Sequence, residues 1–387
     1  MMNLDIAMKN RMLDFPVGFY EFHPEQGFNF QLNRWHSLGI ARIEDLEEAG
    51  ESIKGVGDWK DTFLSLADVA VADNRLMNAA YYYRAAEFFL TEDDPDKIPI
   101  YQKFIQFFGK AFEGSGYTVS EADYENSSIP IIQMKSSLSV TNGTIILHGG
   151  YDSYKEELFS LVLHFANQGY DVVTFECPWM RIPRQKDQPS LDIRWEKIIG
   201  AVLDHLDLNA VTLIGISMGG WLSLRAAAFE PRIKKVIASS VSFDVNQYVN
   251  PIAQKIAKLF FTTFRNFTNK AMINRMKKEV QYAWFVNHLL AITNQQVPID
   301  AFDILLQFNE NNLHSDKVKQ DVLILTGKED HMIPLKTHHL QVQALTNAKS
   351  VTARIFTRED QAQNHCQVGN LGLALDVMDY WIQEKTT

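Results

Sequence analysis

The chain has few cysteines, no long apolar run and no excess of basic residues. Its 387 residues include two cysteines, Cys177 and Cys366, far apart in sequence, which excludes a disulfide framework or a cysteine-paired zinc site. No segment approaches the roughly 20 apolar residues that a membrane-spanning helix needs. The formal net charge of −10 disfavours a nucleic-acid partner, which usually requires a basic face. Residues 1–12 lack an apolar stretch, so we predict no secretory signal and a cytoplasmic location.

The pattern of apolar residues divides the chain into a helical part and an alternating part. In residues 1–115 the spacing of Trp59, Phe63 and Leu66 predicts one face of a helix, and a second helix follows it as in one tetratricopeptide hairpin. No second copy of that hairpin follows, so we expect a helical region packed on the main domain. From 116 to 387, short strand-like and helical segments alternate, which predicts a mostly parallel sheet.

The most informative motif is Gly215-x-Ser217-x-Gly219, which lies between a predicted strand at 211–216 and a predicted helix starting at Trp221. A sharp turn between strand and helix exposes a serine as a nucleophile and aims the next backbone N–H, that of Met218, at a developing oxyanion. Taken alone, the motif also fits a serine in an ordinary glycine-rich turn. Its context favours a catalytic Ser217.

A second motif follows the predicted strand at 144–147 and reads His148-Gly149-Gly150-Tyr151. Such a loop supplies the other oxyanion donor in esterases and lipases, and we predict the Tyr151 N–H, with Gly150 as the next candidate. His148 itself is expected to be structural. The spacing of Ser153 and Glu156 predicts a capping box, which makes Glu156 a helix cap rather than a catalytic acid.

Two further loops carry an acid and a base. Asp330 follows an apolar strand at 322–325, and His365 lies between a strand at 351–356 and a helix at 371–382. The order Ser217, Asp330, His365 is the chain order of triads in one large class of hydrolases. Asp244, after the strand at 235–240, is the alternative acid, with capping as its competing role. Neighbouring Glu329 is expected to point away from the histidine.

Residues 241–318 interrupt the alternation with a helical, aromatic-rich segment. Because this segment begins and ends on the predicted catalytic face, we expect a lid over the site that favours an apolar or aromatic acyl group. The alternative is a helical subdomain without substrate contact. The aromatic residues from Phe15 to Trp35 are expected to pack, with a pocket wall as the second interpretation.

Together, HGGYDS at 148–153, GISMGG at 215–220, GKED at 327–330 and NHCQ at 364–367 resemble the α/β-hydrolase superfamily. The resemblance covers residues 116–387. It implies a mostly parallel sheet flanked by helices, with Ser217 as nucleophile, His365 as base and Asp330 as acid. The added helical N-terminal region is similar to the group containing the dihydropseudooxynicotine hydrolases, whose relatives are often labelled acylaminoacyl-peptidase-like.

We therefore expect a serine hydrolase without cofactor or metal, which acts on an ester, amide or related carbonyl. The expected partner is a small molecule or short acyl-peptide, with no nucleic acid and no membrane, and a homodimer is the assembly considered. Three alternatives stay open: a peptide hydrolase like the acylaminoacyl peptidases, a carbon–carbon bond hydrolase, and a non-catalytic binding protein with this fold.

Overall fold

The computed structural model describes residues 14–184 and 188–386. The prediction that residues 1–12 hold no secretory signal lies outside this part of the chain. Among the described residues, no helix is long and apolar enough to cross a membrane.

An eight-stranded sheet forms the centre of the molecule, with the strand order β1-β2-β4-β3-β5-β6-β7-β8. Strand β2 pairs antiparallel with β1 and β4, and the pairs from β4 to β8 are parallel. The strands are β1 (Thr118–Tyr124), β2 (Ser127–Met134), β3 (Thr144–His148), β4 (Asp171–Phe175), β5 (Val211–Ile216), β6 (Ile233–Ser239), β7 (Asp321–Gly327) and β8 (Ser350–Phe356).

The central strands are continuous apolar runs because helices cover both faces of a parallel sheet. Every residue of β7 is buried, and five of the six residues of β5 are buried. The edge strand β1 instead has mostly exposed positions. The parallel sheet predicted from alternating segments is confirmed.

The N-terminal region is helical, as predicted. Its helices are α1 (Gln26–Ser37), α2 (Ile43–Ser52), α3 (Val56–Ala72), α4 (Leu76–Glu87) and α5 (Lys97–Ala111). The buried face of α3 consists of the residues that the spacing predicted, including Trp59, Phe63 and Leu66. The Trp59 indole N–H donates to the Ala85 carbonyl at 2.7 Å, which fixes α3 against α4.

Helices also flank the sheet and fill the segment between β6 and β7. The flanking α-helices are α6 (Phe159–Asn167), α7 (Trp195–His205), α8 (Met218–Ala227), α14 (Lys336–Ala344) and α15 (Leu371–Glu384). Between β6 and β7 lie α9 (Pro251–Thr262), α10 (Arg265–Met276), α11 (Val280–Thr293), α12 (Pro298–Leu305) and α13 (Glu310–Leu313). Short 3₁₀ helices span Lys155–Leu158, Pro178–Met180, Val245–Tyr248, Ser315–Lys317 and His365–Gln367. We call residues 241–318 the insertion.

Candidate active site

Ser217 lies in the sharp turn between β5 and α8. Its backbone has φ 61° and ψ −127°, a conformation that costs energy for any residue other than glycine and that marks a strained turn. Helix α8 begins directly after it, at Met218, so the predicted helix start at Trp221 is wrong by three residues. Ser217 is thus the single residue between the strand and the helix. The glycines at 219 and 220 belong to the first turn of the helix.

The glycines of the motif are required by close packing. A Cβ at Gly215 would collide with the Gly219 carbonyl and the Ser223 hydroxyl, and a Cβ at Gly219 would lie 2.5 Å from the Gly149 carbonyl. The strand, the helix and the loop after β3 therefore meet where no side chain fits.

Ser217, His365 and Asp330 come together at the carboxyl ends of β5, β8 and β7. His365 Nε2 lies 2.9 Å from Ser217 Oγ, and His365 Nδ1 lies 2.7 Å from Asp330 Oδ2. The second oxygen of Asp330 accepts the backbone N–H groups of Met332 and Ile333, each at 2.9 Å. This geometry lets His365 accept the hydroxyl proton while Asp330 holds its ring.

The electrostatics of the pair follow from burial and proximity. Burial lowers the pKa of His365, but the Asp330 carboxylate raises it, and the net pKa lies well above the ordinary histidine value. Burial raises the pKa of Asp330, whereas His365 and the two backbone donors lower it, and the net pKa is depressed. Asp330 is thus ionised and stabilises a positive charge on His365.

Asp244, the alternative acid, and Glu329, which was expected to point away from His365, both bind other groups. Asp244 Oδ1 accepts the Asn246 backbone N–H at 2.8 Å and caps the 3₁₀ helix Val245–Tyr248. Exposed Glu329 pairs with Arg358 at 2.7 Å. Gly327 begins the turn that leads to Asp330, whose backbone N–H donates to the Gly327 carbonyl at 3.3 Å. Gly327 also ends β7, and a Cβ there would collide with the carbonyls of residues 363 and 364 in the loop that carries His365.

The loop after β3, residues 149–154, is termed the β3 loop. His148, the last residue of β3, is buried, and burial lowers its pKa to about 4, so its ring is neutral. Its Nδ1 lies 2.7 Å from the Gly149 carbonyl and its Nε2 lies 2.9 Å from the Ser223 hydroxyl, which gives it the structural position predicted. A Cβ at Gly150 would lie 2.5 Å from the Gly219 nitrogen, so this loop packs directly on the serine turn.

The capping box predicted from Ser153 and Glu156 is displaced by one residue. The Tyr154 backbone N–H donates to Glu157 Oε1 at 2.9 Å, at the start of the 3₁₀ helix Lys155–Leu158. Glu156 pairs with Lys155 at 2.6 Å instead. Glu157 also accepts hydrogen bonds from two arginines, Arg34 and Arg84. Both lie far from it in the chain, so a local capping motif does not reveal them.

The two backbone N–H groups predicted to bind an oxyanion are those of Met218 and Tyr151. Within the described chain, neither the Met218 N–H nor the Tyr151 N–H donates to a protein acceptor. Met218 is the first residue of α8, where N–H groups have no partner in the helix and the helix dipole favours negative charge.

Tyr151 is held by the insertion. Its hydroxyl donates to the Phe285 carbonyl at 2.6 Å, and its ring stacks on Phe285 at 5.1 Å. His288 Nε2 lies 2.7 Å from the Tyr151 carbonyl. Burial lowers the pKa of His288 to about 4, so the ring is neutral. Its Nε2–H tautomer donates to the Tyr151 carbonyl. Helix α11 thereby fixes the backbone of the predicted second oxyanion donor.

The N-terminal helices hold the same loop from the other side. Arg34 donates to Asp152 and to Glu157, both at 2.9 Å, and Arg84 donates to Glu157 at 2.7 Å. Arg84 also donates to the Asp152 carbonyl at 2.8 Å. Burial raises the pKa of Asp152, but the nearby charge of Arg34 outweighs this effect. The net pKa is below the ordinary value, so the carboxylate is ionised. The sequence reasoning missed these arginines, because each contact joins residues far apart in the chain.

Ser217 and His365 line a cavity of about 600 Å³. Its walls come from three sources: the core (Ile216, Met332 and Ile333), the N-terminal helices (Phe30, Arg34 and Leu38) and the insertion (Trp284, Phe285, Phe302 and Phe308). Most of these side chains are apolar or aromatic, and the polar lining includes the ion-paired cluster of Arg34, Asp152 and Glu157.

The aromatic residues singled out in the sequence fall into two groups: some line the cavity and others face away from it. Phe30 fits the second interpretation, a pocket wall, and its ring lies 6.1 Å from that of His365. In the insertion, Phe285 and Phe302 face the cavity, whereas Phe264 and Phe267 are 48% and 65% exposed on the outer side. Part of the insertion therefore covers the site, and part of it faces away.

The family model for the alpha/beta hydrolase fold matches residues 145–355. The hydrolase LUC6 from a Fusarium species is 27% identical over 94% of this chain and 98% of its own length. Among solved structures, AbyA5 superposes with a TM-score of 0.67 at 17% identity, over 92% of this chain and 94% of that one.

The structure of 2,6-dihydroxy-pseudo-oxynicotine hydrolase superposes with a TM-score of 0.63 at 18% identity, over 90% of this chain and 94% of that one. At these identities the two solved structures show a shared fold, including the helical N-terminal region. The fold and the family resemblance predicted from the motifs are confirmed. The chain belongs to the α/β-hydrolase fold family and is a hydrolase.

Proposed function

We propose that this protein is a serine hydrolase that cleaves an ester or related acyl bond through an acyl-enzyme on Ser217. The observation that carries the proposal is the chain of two hydrogen bonds, 2.9 Å from Ser217 to His365 and 2.7 Å from His365 to Asp330, at the wall of an apolar cavity. Nucleophile, base and orienting acid in contact form the arrangement that activates a serine hydroxyl.

The reaction follows from these contacts. His365 Nε2 takes the proton of Ser217 as the oxygen attacks the substrate carbonyl, and the N–H groups of Met218 and Tyr151 bind the oxyanion. The bond to the leaving group breaks, and His365 returns the proton to that group. Water then gives its proton to His365 and attacks the acyl-enzyme, which releases the acid and restores Ser217.

The cavity supports a substrate with a large apolar part. A volume of about 600 Å³ lies within the range of pockets that enclose drug-sized molecules. Phe285, Phe302 and Phe308 offer aromatic contacts to one part of such a molecule, and Phe30 and Leu38 offer apolar contacts to another. We therefore propose that the insertion and the N-terminal helices select the substrate and that the core performs the chemistry.

A serine-directed phosphonate probe tests the nucleophile. We expect the probe to label the wild-type protein, and Ser217→Ala to abolish labelling with a melting temperature close to that of the wild type. Ser242→Ala is the matched control, because Ser242 lines the same cavity but lies outside the chain of hydrogen bonds. Normal labelling of Ser217→Ala would refute the assignment.

A further inference from the structure

The outer part of the insertion exposes an apolar surface. We call residues 250–278, which contain α9 and α10, the outer hairpin. Every residue of α9 is at least partly exposed, and Met272 is the buried residue of α10. Its most exposed apolar side chains are Ile252 at 73%, Ile256 at 52%, Leu259 at 48%, Phe264 at 48% and Phe267 at 65%.

These side chains form one continuous patch. Ile252, Ile256 and Leu259 are spaced by four and three residues, so they lie on one face of α9. Phe260 extends this face, and its ring lies 5.6 Å from that of Phe264 and 6.0 Å from that of Phe267. A continuous apolar patch that is exposed to solvent marks an interaction site.

The patch carries a charge opposite to that of the whole chain. The outer hairpin contains seven lysine or arginine residues and no aspartate or glutamate, in a chain with a net charge of −10. Arg265 pairs with Asp300 and Asp303, and Arg275 pairs with Glu279. The five lysines, at 255, 258, 270, 277 and 278, make no ion pair within the described part of the chain.

We propose that the outer hairpin docks on the surface of an anionic lipid bilayer. A helix with phenylalanine, leucine and isoleucine on one face and lysines beside it lies in the interface between headgroups and acyl chains. Negative headgroups attract the lysines, and the exposed apolar face enters the boundary region. A second copy of this chain is a poorer partner, because two such faces would bring their positive charges together. The absence of a membrane partner predicted from the sequence rested on the lack of a spanning segment, which surface binding does not need.

The position of the outer hairpin relates docking to the cavity. Arg275 at the end of α10 and Tyr282 at the start of α11 line the rim of the cavity, and the Arg275 guanidinium lies 4.2 Å from the Tyr282 ring. A bilayer bound at the outer hairpin would therefore lie beside the mouth. An apolar substrate dissolved in the bilayer could reach Ser217 without crossing water. This last step rests on the proposed function, whereas the docking itself does not.

Vesicle sedimentation with the full-length protein tests the docking. We expect binding to phosphatidylcholine vesicles that contain phosphatidylserine, little binding to phosphatidylcholine alone, and weaker binding as salt is raised. Lys255→Glu with Lys258→Glu should weaken binding by about tenfold or more, because each lysine contributes separately. Ile256→Gln with Phe267→Ser should weaken it comparably by removing inserted apolar area.

Two controls keep the test specific. Lys234→Glu with Lys319→Glu changes two exposed lysines at the amino ends of β6 and β7, on the opposite edge of the sheet, and should leave vesicle binding unchanged. All variants should hydrolyse a short soluble ester at the wild-type rate, since none of these residues lines the cavity, and unchanged hydrolysis shows that they are folded.

Three results would overturn the proposal. The first is no binding to phosphatidylserine vesicles at low salt. The second is equal binding by the outer-hairpin and control variants. The third is a dimer in light scattering that Ile256→Gln with Phe267→Ser converts to a monomer, which would assign the patch to a second copy of the chain. Loss of Ser217 labelling would instead bear on the proposed function alone.

Discussion

The carboxyl edge of the sheet and the helical cover above it are held together in different ways. At the sheet edge, each functional residue lies in the loop or turn that follows its own strand: Ser217 comes directly after β5, and Asp330 and His365 lie in the loops after β7 and β8. In the cover, the contacts that hold the β3 loop join residues far apart in the chain, such as Arg34 with Asp152, 118 positions apart, and Tyr151 with Phe285, 134 positions apart. The sheet edge therefore provides a fixed geometry for the proposed chemistry, and the cover lines the cavity and fixes the β3 loop.

The largest expected effect lies at the sheet edge. Asp330→Asn should lower kcat on the order of a thousandfold or more, because the amide no longer holds the required His365 tautomer. The matched variant Asp244→Asn removes a buried carboxylate that only caps a 3₁₀ helix, and it should lose far less. Steady-state kinetics with an aryl ester measure both, and the reverse ranking would place the acid after β6.

The pH profile of the same variant gives a second readout. His365 must be neutral to accept the Ser217 proton, so kcat/KM should fall as the pH drops through the pKa of His365. Because Asp330 raises that pKa, the acid limb of Asp330→Asn should move to lower pH. An unmoved limb would separate Asp330 from the base.

The next effect concerns how the cover is anchored. Arg84→Met should lower the free energy of unfolding by about 3 to 5 kcal/mol, because it leaves the buried carboxylates of Glu157 and Glu87 poorly compensated. Arg358→Met breaks the exposed pair with Glu329 and should cost far less, because solvent screens the attraction between exposed charges. Urea unfolding compares them, and equal losses would remove the distinction between anchor and surface pair.

A smaller effect tests the contact of the insertion with the β3 loop. His288→Phe keeps an aromatic ring against Trp284 but removes the donor to the Tyr151 carbonyl. We expect kcat to fall by about tenfold to a hundredfold with little change in KM, because one oxyanion donor loses its support. His164→Phe, a histidine in contact with Phe15 and Phe165 away from the cavity, is the control. A change in KM alone would make His288 a substrate contact instead.

The smallest expected effect is on selectivity. Phe302→Ala enlarges the insertion side of the cavity and should change the ratio of kcat/KM for a long-chain ester to that for an acetyl ester by about threefold to tenfold. Phe267→Ala, on the outer face of the insertion, should leave the ratio unchanged. An unaltered ratio in Phe302→Ala would mean that the insertion does not select the acyl group.

The sequence predicted the parts whose signals are local. Ser217 has glycines at fixed spacing around it, and Asp330 and His365 follow recognisable strands, so their neighbourhoods were readable without a structure. The predicted capping box was wrong by one residue. Glu157, and not Glu156, accepts the Tyr154 backbone N–H, and it also accepts hydrogen bonds from Arg34 and Arg84 in distant parts of the chain. The opposite orientations of Phe302 and Phe267 were not readable either, since both lie in helices of similar composition and only packing decides which one faces the cavity.

The central claim is that Ser217 forms the acyl-enzyme, and intact-mass spectrometry of the quenched reaction tests it most directly. With an aryl ester as substrate, we predict a mass increase equal to the acyl group, located by peptide mapping to Ser217 and absent in Ser217→Ala. Cys366, beside His365 and in the same cavity, is the internal competitor. Acylation of Cys366, or wild-type turnover by Ser217→Ala, would contradict the account.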